Sequence, residues 1–175
     1  KMAAEKEDID SMYNYALRLS KGIGIQQNKK EAAFYYKKAA DKGQVNAMTN
    51  YCSILIRGDG IPKNINEAVK YSKMAADNGE INSMFQYALF LSKGEGCPMN
   101  KKEAAKYFKL AADEGYIDAM YNYASMIDKG DGVTMNKAEA FKYLKMAADK
   151  GQINSIYDLA YMYLNGDGIP VNNKE

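Results

Sequence analysis

The sequence lacks histidine and tryptophan altogether, and it holds only two cysteines and three prolines in 175 residues. Histidine is the commonest general base in enzymes and a frequent metal ligand, so its absence removes the side chain on which most acid–base catalysis near neutral pH depends. A Ser-x-x-Lys motif, which would carry serine chemistry of the β-lactamase type, is missing as well. We therefore predict no catalytic residue, no metal site and no cofactor.

The two cysteines are too few for the disulfide framework that small secreted proteins use. Cys52 takes a position that alanine fills in the other copies of a repeat described below, and Cys97 takes one that isoleucine or valine fills. Neither position requires a thiol, so Cys52 is predicted to be a small buried residue. No Asn-x-Ser/Thr glycosylation site occurs. These features favour a reducing compartment and predict a cytoplasmic location.

The chain also lacks a strong net charge, since its 24 basic residues are nearly balanced by 22 acidic ones. That balance argues against nucleic acid or an anionic membrane surface as the main partner. No apolar run approaches the roughly 20 residues that a membrane-spanning helix needs, so no membrane insertion is predicted for this segment. A hydrophobic content of 47% is instead enough for a substantial core.

Glycine pairs recur at an interval of 36 residues, as from Gly22 to Gly58. The pairs are Gly22/Gly24, Gly58/Gly60, Gly94/Gly96, Gly130/Gly132 and Gly166/Gly168. Pairs of alanines keep the same interval from Ala3/Ala4 to Ala147/Ala148. Five registers without an insertion indicate a repeat protein.

Each repeat contains two helical segments, of which the first is predicted to begin near Asn46 in the second copy. Asparagine and aspartate are favourable N-caps, and the equivalent caps are Asp10, Asn82, Asp118 and Asn154. Apolar residues then recur at helical spacing, at Ala47, Met48, Tyr51, Ile54 and Leu55. Gly58 is predicted to end this helix, because glycine adopts the left-handed conformation without a Cβ penalty.

The second helix is predicted to start near Asn64–Glu67, where a carboxylate in the first turn suits the helix dipole. Its inward stripe is Ala68, Tyr71, Met74 and Ala75, and Gly79 closes it. Tyr71, with its equivalents Tyr35, Tyr107 and Tyr143, is predicted to fill the gap between layers. Neither helix buries its apolar face alone, so stacked neighbours must supply the missing surface. The predicted fold class is an all-α solenoid of antiparallel helix pairs.

The repeat register predicts one array over residues 1–175, with units of about 7–42, 43–78, 79–114, 115–150 and a partial unit at 151–175. Residues 1–6 resemble the end of a preceding second helix, and Asn172–Glu175 resemble the start of another. We expect on this pattern a piece of a longer protein. Uncapped terminal layers in solenoids favour end-to-end association, which makes self-association a possible property of this segment.

The repeated residues resemble the Sel1-like repeat family, a relative of the tetratricopeptide repeat with a longer inter-helix loop that carries G-x-G. The resemblance rests on the pattern Ala47-x₃-Tyr51-Cys52-x₂-Leu55-x₂-Gly58-x-Gly60-Ile61-x₅-Glu67-Ala68-x₂-Tyr71-x₃-Ala75-Ala76-x₂-Gly79. It covers essentially the whole chain, and the length of 36 residues separates it from the 34-residue tetratricopeptide type.

The resemblance implies right-handed stacking with first helices lining a concave groove, and a non-catalytic scaffold or adaptor that binds a protein or peptide partner there. The alternative is a structural or oligomerising arm of a larger multidomain enzyme such as a kinase. A secreted branch of the family carries a disulfide in each repeat, and this chain lacks that cysteine spacing.

Three rows of first-helix positions are predicted to face the groove. One row is Tyr13, Thr49, Phe85, Tyr121 and Tyr157; the next is Asn14, Asn50, Gln86, Asn122 and Asp158; the third is Leu17, Ser53, Leu89, Ser125 and Tyr161. Amides pair with the main chain of an extended peptide, and rings supply pockets. The alternatives are that the aromatic row packs between consecutive first helices and that the amides bond to local backbone.

Charged rows have a functional and a structural interpretation. Lys21, Arg57, Lys93 and Lys129 end first helices, where they would grip an acidic or C-terminal carboxylate or simply suit the helix dipole. A second row, Lys37, Lys73, Lys109 and Lys145, is predicted to be a solvated face.

The acidic residues of the loops are predicted to have a structural role. Asp59, Asp131 and Asp167 of the G-D-G loops are predicted to belong to turns, because the loops lack the ligands of a phosphate or calcium site. Acidic groove residues, among them Asp118 and Asp128, disfavour RNA.

Overall fold

The computed structural model describes residues 8–167. Within that range the regular structure consists of nine α-helices of 13 residues each, without a strand. In chain order they are α1 (Ile9–Lys21), α2 (Lys29–Asp41), α3 (Val45–Arg57), α4 (Ile65–Asp77), α5 (Ile81–Lys93), α6 (Lys101–Asp113), α7 (Ile117–Lys129), α8 (Lys137–Asp149) and α9 (Ile153–Asn165). First and second helices alternate, which confirms the predicted solenoid of helix pairs. The helix fragments predicted at 1–6 and Asn172–Glu175 lie outside the described residues.

The N-caps of the first helices differ from the prediction. The cap of α3 is Gln44, whose Oε1 accepts a hydrogen bond from the backbone N–H of Ala47 at 2.6 Å. Gln152 caps α9 in the same way. The caps predicted at Asp10, Asn46, Asn82, Asp118 and Asn154 were therefore wrong, and these residues lie inside the first helical turn. The longer glutamine side chain can fold back to the third helical N–H, a use that average cap preferences rank low.

The helix end predicted at Gly58 and the helix start predicted at Asn64 are confirmed, whereas the second helix is capped by Asn78, one residue before the predicted Gly79. Gly58 follows α3 in the left-handed conformation with φ of 71°. At the start of α4, Asn64 Oδ1 accepts from the backbone N–H of Glu67 at 3.1 Å, and Asn64 Nδ2 donates to the Glu67 carboxylate at 3.3 Å. The backbone N–H of Glu67, which the helix start leaves unpaired, is thus satisfied, and the second bond holds the Glu67 side chain beside the cap.

The helices form two compact units, each with its own core. The first unit ends at Ser83 and takes in Glu95–Pro98, and the second holds Met84–Gly94 and the described residues from Met99 onward. In the first unit, the predicted stripe of α3 is fully buried, as are Cys52, Ala68 and Tyr71. Met74 is only half-buried, while Ser72, which was not predicted, is fully buried. Small alanines let neighbouring helices approach closely.

Tyrosine pairs join the first and second helices of a repeat. Tyr51 meets Tyr71 edge-on with ring centroids 4.9 Å apart, and in the second unit Tyr123 meets Tyr143 at 5.0 Å. Such a pair contributes about 0.5–1.5 kcal/mol beyond the area it buries. The prediction that Tyr71 and Tyr143 fill the space between layers is confirmed.

A lysine of the row predicted to be solvated also links successive second helices. Lys37 of α2 donates to the Tyr71 hydroxyl at 2.7 Å and to Glu67 at 3.1 Å, and the Tyr71 hydroxyl donates to Asp41. Burial alone would lower the pKa of Lys37, but the hydrogen bonds to Tyr71 and Glu67 outweigh it and raise that pKa. The Lys37 side chain is also 41% exposed, so it lies at the surface as predicted while taking part in a network that was not predicted.

The same arrangement recurs in the second unit. Lys109 of α6 donates to the Tyr143 hydroxyl at 2.6 Å, and that hydroxyl donates to Asp113. The hydrogen bond to Tyr143 raises the pKa of Lys109, whose side chain also stays partly exposed to solvent. Repetition in both units indicates that this lysine–tyrosine–carboxylate network is a regular part of how repeats stack.

Two tyrosines next to these networks make stability depend on pH. Burial raises the pKa of Tyr51 to about 12, and the charge of Glu67 acts in the same direction. Burial and Glu139 likewise raise the pKa of Tyr123 to about 12. In the folded protein each phenol thus keeps its proton at a pH where the unfolded chain, with a pKa of 10.0, has lost it.

We predict that stability falls as the pH rises from 10 to 12. Below pH 10 the contribution of each tyrosine is fully present; above it, each removes up to about 1.4 kcal/mol of unfolding free energy per pH unit. Urea unfolding followed by circular dichroism across this range measures the slope. Tyr51→Phe should flatten it, whereas Tyr163→Phe, on an exposed residue of α9, controls for loss of a hydroxyl. An unchanged slope in Tyr51→Phe would contradict the assignment.

The aspartates of the G-D-G loops form ion pairs with the preceding repeat. Lys29 Nζ lies 2.7 Å from Asp59, Lys101 lies 2.7 Å from Asp131, and Lys137 lies 2.7 Å from Asp167. Each pair joins the first residue of a second helix to the loop of the next repeat. Because the partners are a third to a half exposed, each pair contributes only about 0.2–1 kcal/mol. The aspartates thus belong to turns, as predicted, and also to contacts between repeats.

Candidate functional site

A cleft opens between two consecutive first helices in the first unit. This cleft, cleft 1, has a volume of about 450 Å³. Residues of α1, α2 and α3 line it, together with Asp59 of the loop after α3. Tyr13, Asn50 and Arg57, all predicted for a partner site, are among the lining residues.

The second unit has a cleft at the equivalent position, three repeats later. This cleft 2 measures about 280 Å³ and lies between α7 and α9, with Leu144 of α8 in its floor. Four predicted residues line it: Tyr121, Ser125, Asp158 and Tyr161. Tyr121 and Asp158 correspond in the repeat to Tyr13 and Asn50 of cleft 1. The same surface is therefore formed independently in both units.

The aromatic row combines packing with exposure. Tyr13 is half-buried, with its ring 5.9 Å from that of Tyr36 on α2. Phe85 packs 5.7 Å from Phe108 and 4.8 Å from Tyr116, so it occupies the space between first helices that the structural alternative assigns to this row. Tyr157 is 73% exposed. The rings of Tyr13 and Tyr121 reach the clefts, and that of Phe85 stays between helices.

The remaining member of this row, Thr49, serves the fold. Its hydroxyl lies 3.2 Å from the Ser83 hydroxyl and donates to the Val45 carbonyl at 3.3 Å. These bonds tie α3 to the start of the next first helix. Thr49 lies outside both clefts, and its polar group already has partners.

The amide row is partly engaged with local backbone. Asn50 Nδ2 donates to the Asn46 carbonyl at 2.9 Å, and Asn122 Nδ2 donates to the Asp118 carbonyl at 2.7 Å. These bonds match the structural alternative for the amide nitrogens. Asn50 also lines cleft 1. Asn14 is exposed, and Gln86 is half-buried outside the two clefts.

In the third row, as in the other two, some residues line a cleft and others lie outside the clefts. Ser53 and Leu89 are half-buried outside the clefts, whereas Ser125 lines cleft 2 and accepts a hydrogen bond from Lys129 at 3.1 Å. Lys21 and Arg57 line cleft 1. The cation row therefore reaches both clefts.

Several lining residues were missed at the sequence level. Ser20 follows the predicted row member Leu17 by one helical turn, so helical spacing alone would have found it. Asp128, which lines cleft 2, is one of the acidic residues already predicted for the groove. Tyr36 and Leu144 come from second helices, and only the packed structure places them in a cleft. Burial raises the pKa of Tyr36, and that of Tyr121 is raised by burial and by the charge of Asp158.

The side chains that line these clefts are suited to contacts with a ligand. Rings, hydroxyls, an amide and a few charges line them. Among residues 8–167 no group of three or more Cys, Asp or Glu side chains is arranged to hold a metal ion. Over the same residues no helix is long and apolar enough to cross a membrane.

A family model described as Sel1 repeat matches five consecutive segments of the chain. They are residues 9–44, 45–80, 81–116, 117–152 and 153–175. Each segment begins at the first residue of a first helix, so the matched boundaries coincide with the structural repeat.

Solved structures with the same architecture come from several bacteria. A Sel1 repeat protein from Oxalobacter formigenes is 30% identical with a TM-score of 0.83, over 93% of this chain and 65% of that one. The protective antigen c5321 of uropathogenic Escherichia coli, which displays an SLR fold, is 28% identical with a TM-score of 0.88, over 96% and 36% of the two chains. Helicobacter pylori cysteine rich protein B, at 22% identity and a TM-score of 0.59 over 77% and 98%, shares the fold. The chain spans less than two thirds of the first two proteins. No curated protein matches it.

Proposed function

Since the chain belongs to the Sel1 repeat family, whose members generally serve as non-catalytic protein-interaction scaffolds, we propose that it binds a protein partner through the two clefts between its first helices. The partner contributes an extended segment to a cleft, with side chains against the tyrosines and main chain against the polar groups. No catalytic role enters this proposal.

One observation carries the proposal: the same kind of cleft occurs in both units with tyrosine at equivalent positions. Tyr13 and Tyr121 are half-buried, so each is held by packing yet presents part of its ring to the cleft. A ring fixed in this way contributes contact area at small entropic cost, which is why tyrosine is common among the residues that dominate binding energy.

The experiment is affinity capture with the chain as bait. Replacing Tyr13, Asn50 and Tyr121 together with alanine should abolish retention of a partner that the unaltered chain retains, because each cleft loses the tyrosine at the equivalent position of the repeat. Helical circular dichroism checks that the fold persists. Phe34→Ala is the matched control, because Phe34 is a 53% exposed ring on α2 outside the clefts. Equal capture by the triple variant would remove the clefts from the proposal.

Self-association is the second proposed property, and the same capture experiment must separate it from partner binding. Helix α9, the last helix that the structure describes, exposes apolar side chains whose equivalents in an earlier repeat are buried. Ile156 is 48% exposed and Tyr163 53%, whereas their equivalents Met120 and Ile127 are 1% and 2% exposed. Sedimentation velocity of the bait alone distinguishes the two, since self-association depends on bait concentration and survives the triple substitution.

A further inference from the structure

The two clefts occupy equivalent positions but differ in charge. Cleft 1 is lined by three cations and one carboxylate, and cleft 2 by one cation and two carboxylates. The first carries a net positive charge and the second a net negative one, so ligand preference should differ between them even though the helices that build them are alike.

Three substitutions between equivalent positions produce this difference, and all three act in the same direction. Ser20 of cleft 1 corresponds to Asp128, Asn50 corresponds to Asp158, and Arg57 corresponds to Asn165. Each change makes the second unit more negative at that position. Lys21 and Lys129 are equivalent and keep their charge.

The cations of cleft 1 are available for a ligand. Lys29 is already paired with Asp59 at 2.7 Å, so those two charges largely cancel. Lys21 and Arg57 make no hydrogen bond or ion pair within the part of the chain that the structure describes. They end α1 and α3, which both line the cleft. An anion in the cleft would meet a charge on each side.

We propose that cleft 1 binds an acidic segment of the partner, with a glutamate or aspartate carboxylate held between Lys21 and Arg57. This inference rests on the proposed function and adds the chemistry of the ligand. Arg57 supplies a planar pair of donors to a carboxylate, and Lys21 supplies a second charge. Tyr13 and Asn50, which also line the cleft, contact the neighbouring residues of the segment. In cleft 2, Asp128 and Asp158 repel the same ligand.

Fluorescence anisotropy tests the proposal with three labelled short peptides of one design, in which the variable positions are glutamate, glutamine or lysine. The glutamate peptide should bind at least about tenfold more tightly than the glutamine peptide, because charge-assisted hydrogen bonds are roughly twice as strong as neutral ones. Its affinity should fall as salt is raised, since the charges are partly exposed to solvent.

The chain itself supplies the matched variants. Arg57→Asn combined with Asn50→Asp and Ser20→Asp installs the residues of cleft 2 in cleft 1, and it should reduce affinity for the glutamate peptide about tenfold or more. The reverse set, Asp128→Ser with Asp158→Asn and Asn165→Arg, gives cleft 2 the residues of cleft 1 and should add a second binding event for that peptide. Titration stoichiometry measures that gain, and circular dichroism verifies the fold of both variants.

Several results would overturn the inference while leaving the proposed function intact. They are equal binding of the glutamate and glutamine peptides, preference for the lysine peptide, or loss of binding only when Tyr13 is replaced. A phosphoserine peptide that binds while the glutamate peptide does not would also reject the carboxylate as ligand. By contrast, a partner whose capture survives removal of the cleft tyrosines would defeat the proposed function itself.

Discussion

Replacing Gly60 with alanine should lower the free energy of unfolding by roughly 2–5 kcal/mol, because two penalties add at this position. Gly60 has φ of 83°, a conformation that L-residues adopt at a cost. A Cβ there would also lie 2.6 Å from the carbonyl carbon of Lys29 and 2.8 Å from the nitrogen of Lys30. Both atoms belong to the backbone of the preceding repeat, so the repeats must separate to admit a methyl group. Chemical denaturation followed by circular dichroism measures the loss.

The matched control for this prediction is Gly24→Ala. Gly24 occupies the same position of the first repeat with φ of 69°, but an added Cβ there meets nothing within 4 Å. Gly24→Ala should therefore lower the free energy of unfolding only by the cost of the left-handed backbone conformation, about 1–2 kcal/mol. If the two variants lost equal stability, the close approach of repeats at Gly60 would not be the reason that glycine is needed there.

The second large effect is expected at Tyr71. Tyr71→Ala should cost about 3–5 kcal/mol, because it removes a fully buried ring from the layer between helices and leaves a cavity. The substitution also removes the hydroxyl with which Lys37 and Asp41 form hydrogen bonds. The unfolding midpoint in urea, with an unchanged slope, measures the effect.

Tyr71→Phe separates the hydroxyl from the ring. This variant keeps the edge-on contact with Tyr51 and loses only the hydrogen bonds, so it should cost about 1–2 kcal/mol. Tyr157→Ala, on a 73% exposed ring, should change stability by less than about 0.5 kcal/mol and serves as the control. A Tyr71→Phe variant as unstable as Tyr71→Ala would show that the polar network, rather than ring burial, dominates.

Most of the fold was predictable because each repeat carries the same local signals. The pairing of Asn64 with Glu67 and the glycine at 58 mark helix limits through interactions within a few residues of each other. The caps of the first helices were mispredicted because Gln44 acts through a flexible side chain whose conformation depends on its surroundings. Residue types near a helix end predict its boundary well only where the side chain that caps the helix is one of those usually preferred as caps.

The candidate site was predictable in outline and not in detail. Helical spacing placed Tyr13 and Tyr121 on the exposed side of first helices, and both line clefts. Spacing did not reveal that Thr49 bonds to the next first helix, nor that Phe85 is held between rings. Members of one sequence row thus have different roles, because the residues opposite each of them differ from repeat to repeat.

The sequence by itself determined the helix count per repeat, the 36-residue period and the apolar stripes, because these depend on residues close together in the chain. Only the tertiary structure decided that Lys37 and Lys109 join polar networks, that Asp59 pairs with Lys29, and that two clefts of opposite charge exist. Those contacts join residues about one repeat apart. Their partners are set by how helices stack, and stacking depends on the summed packing of whole layers rather than on any local pattern.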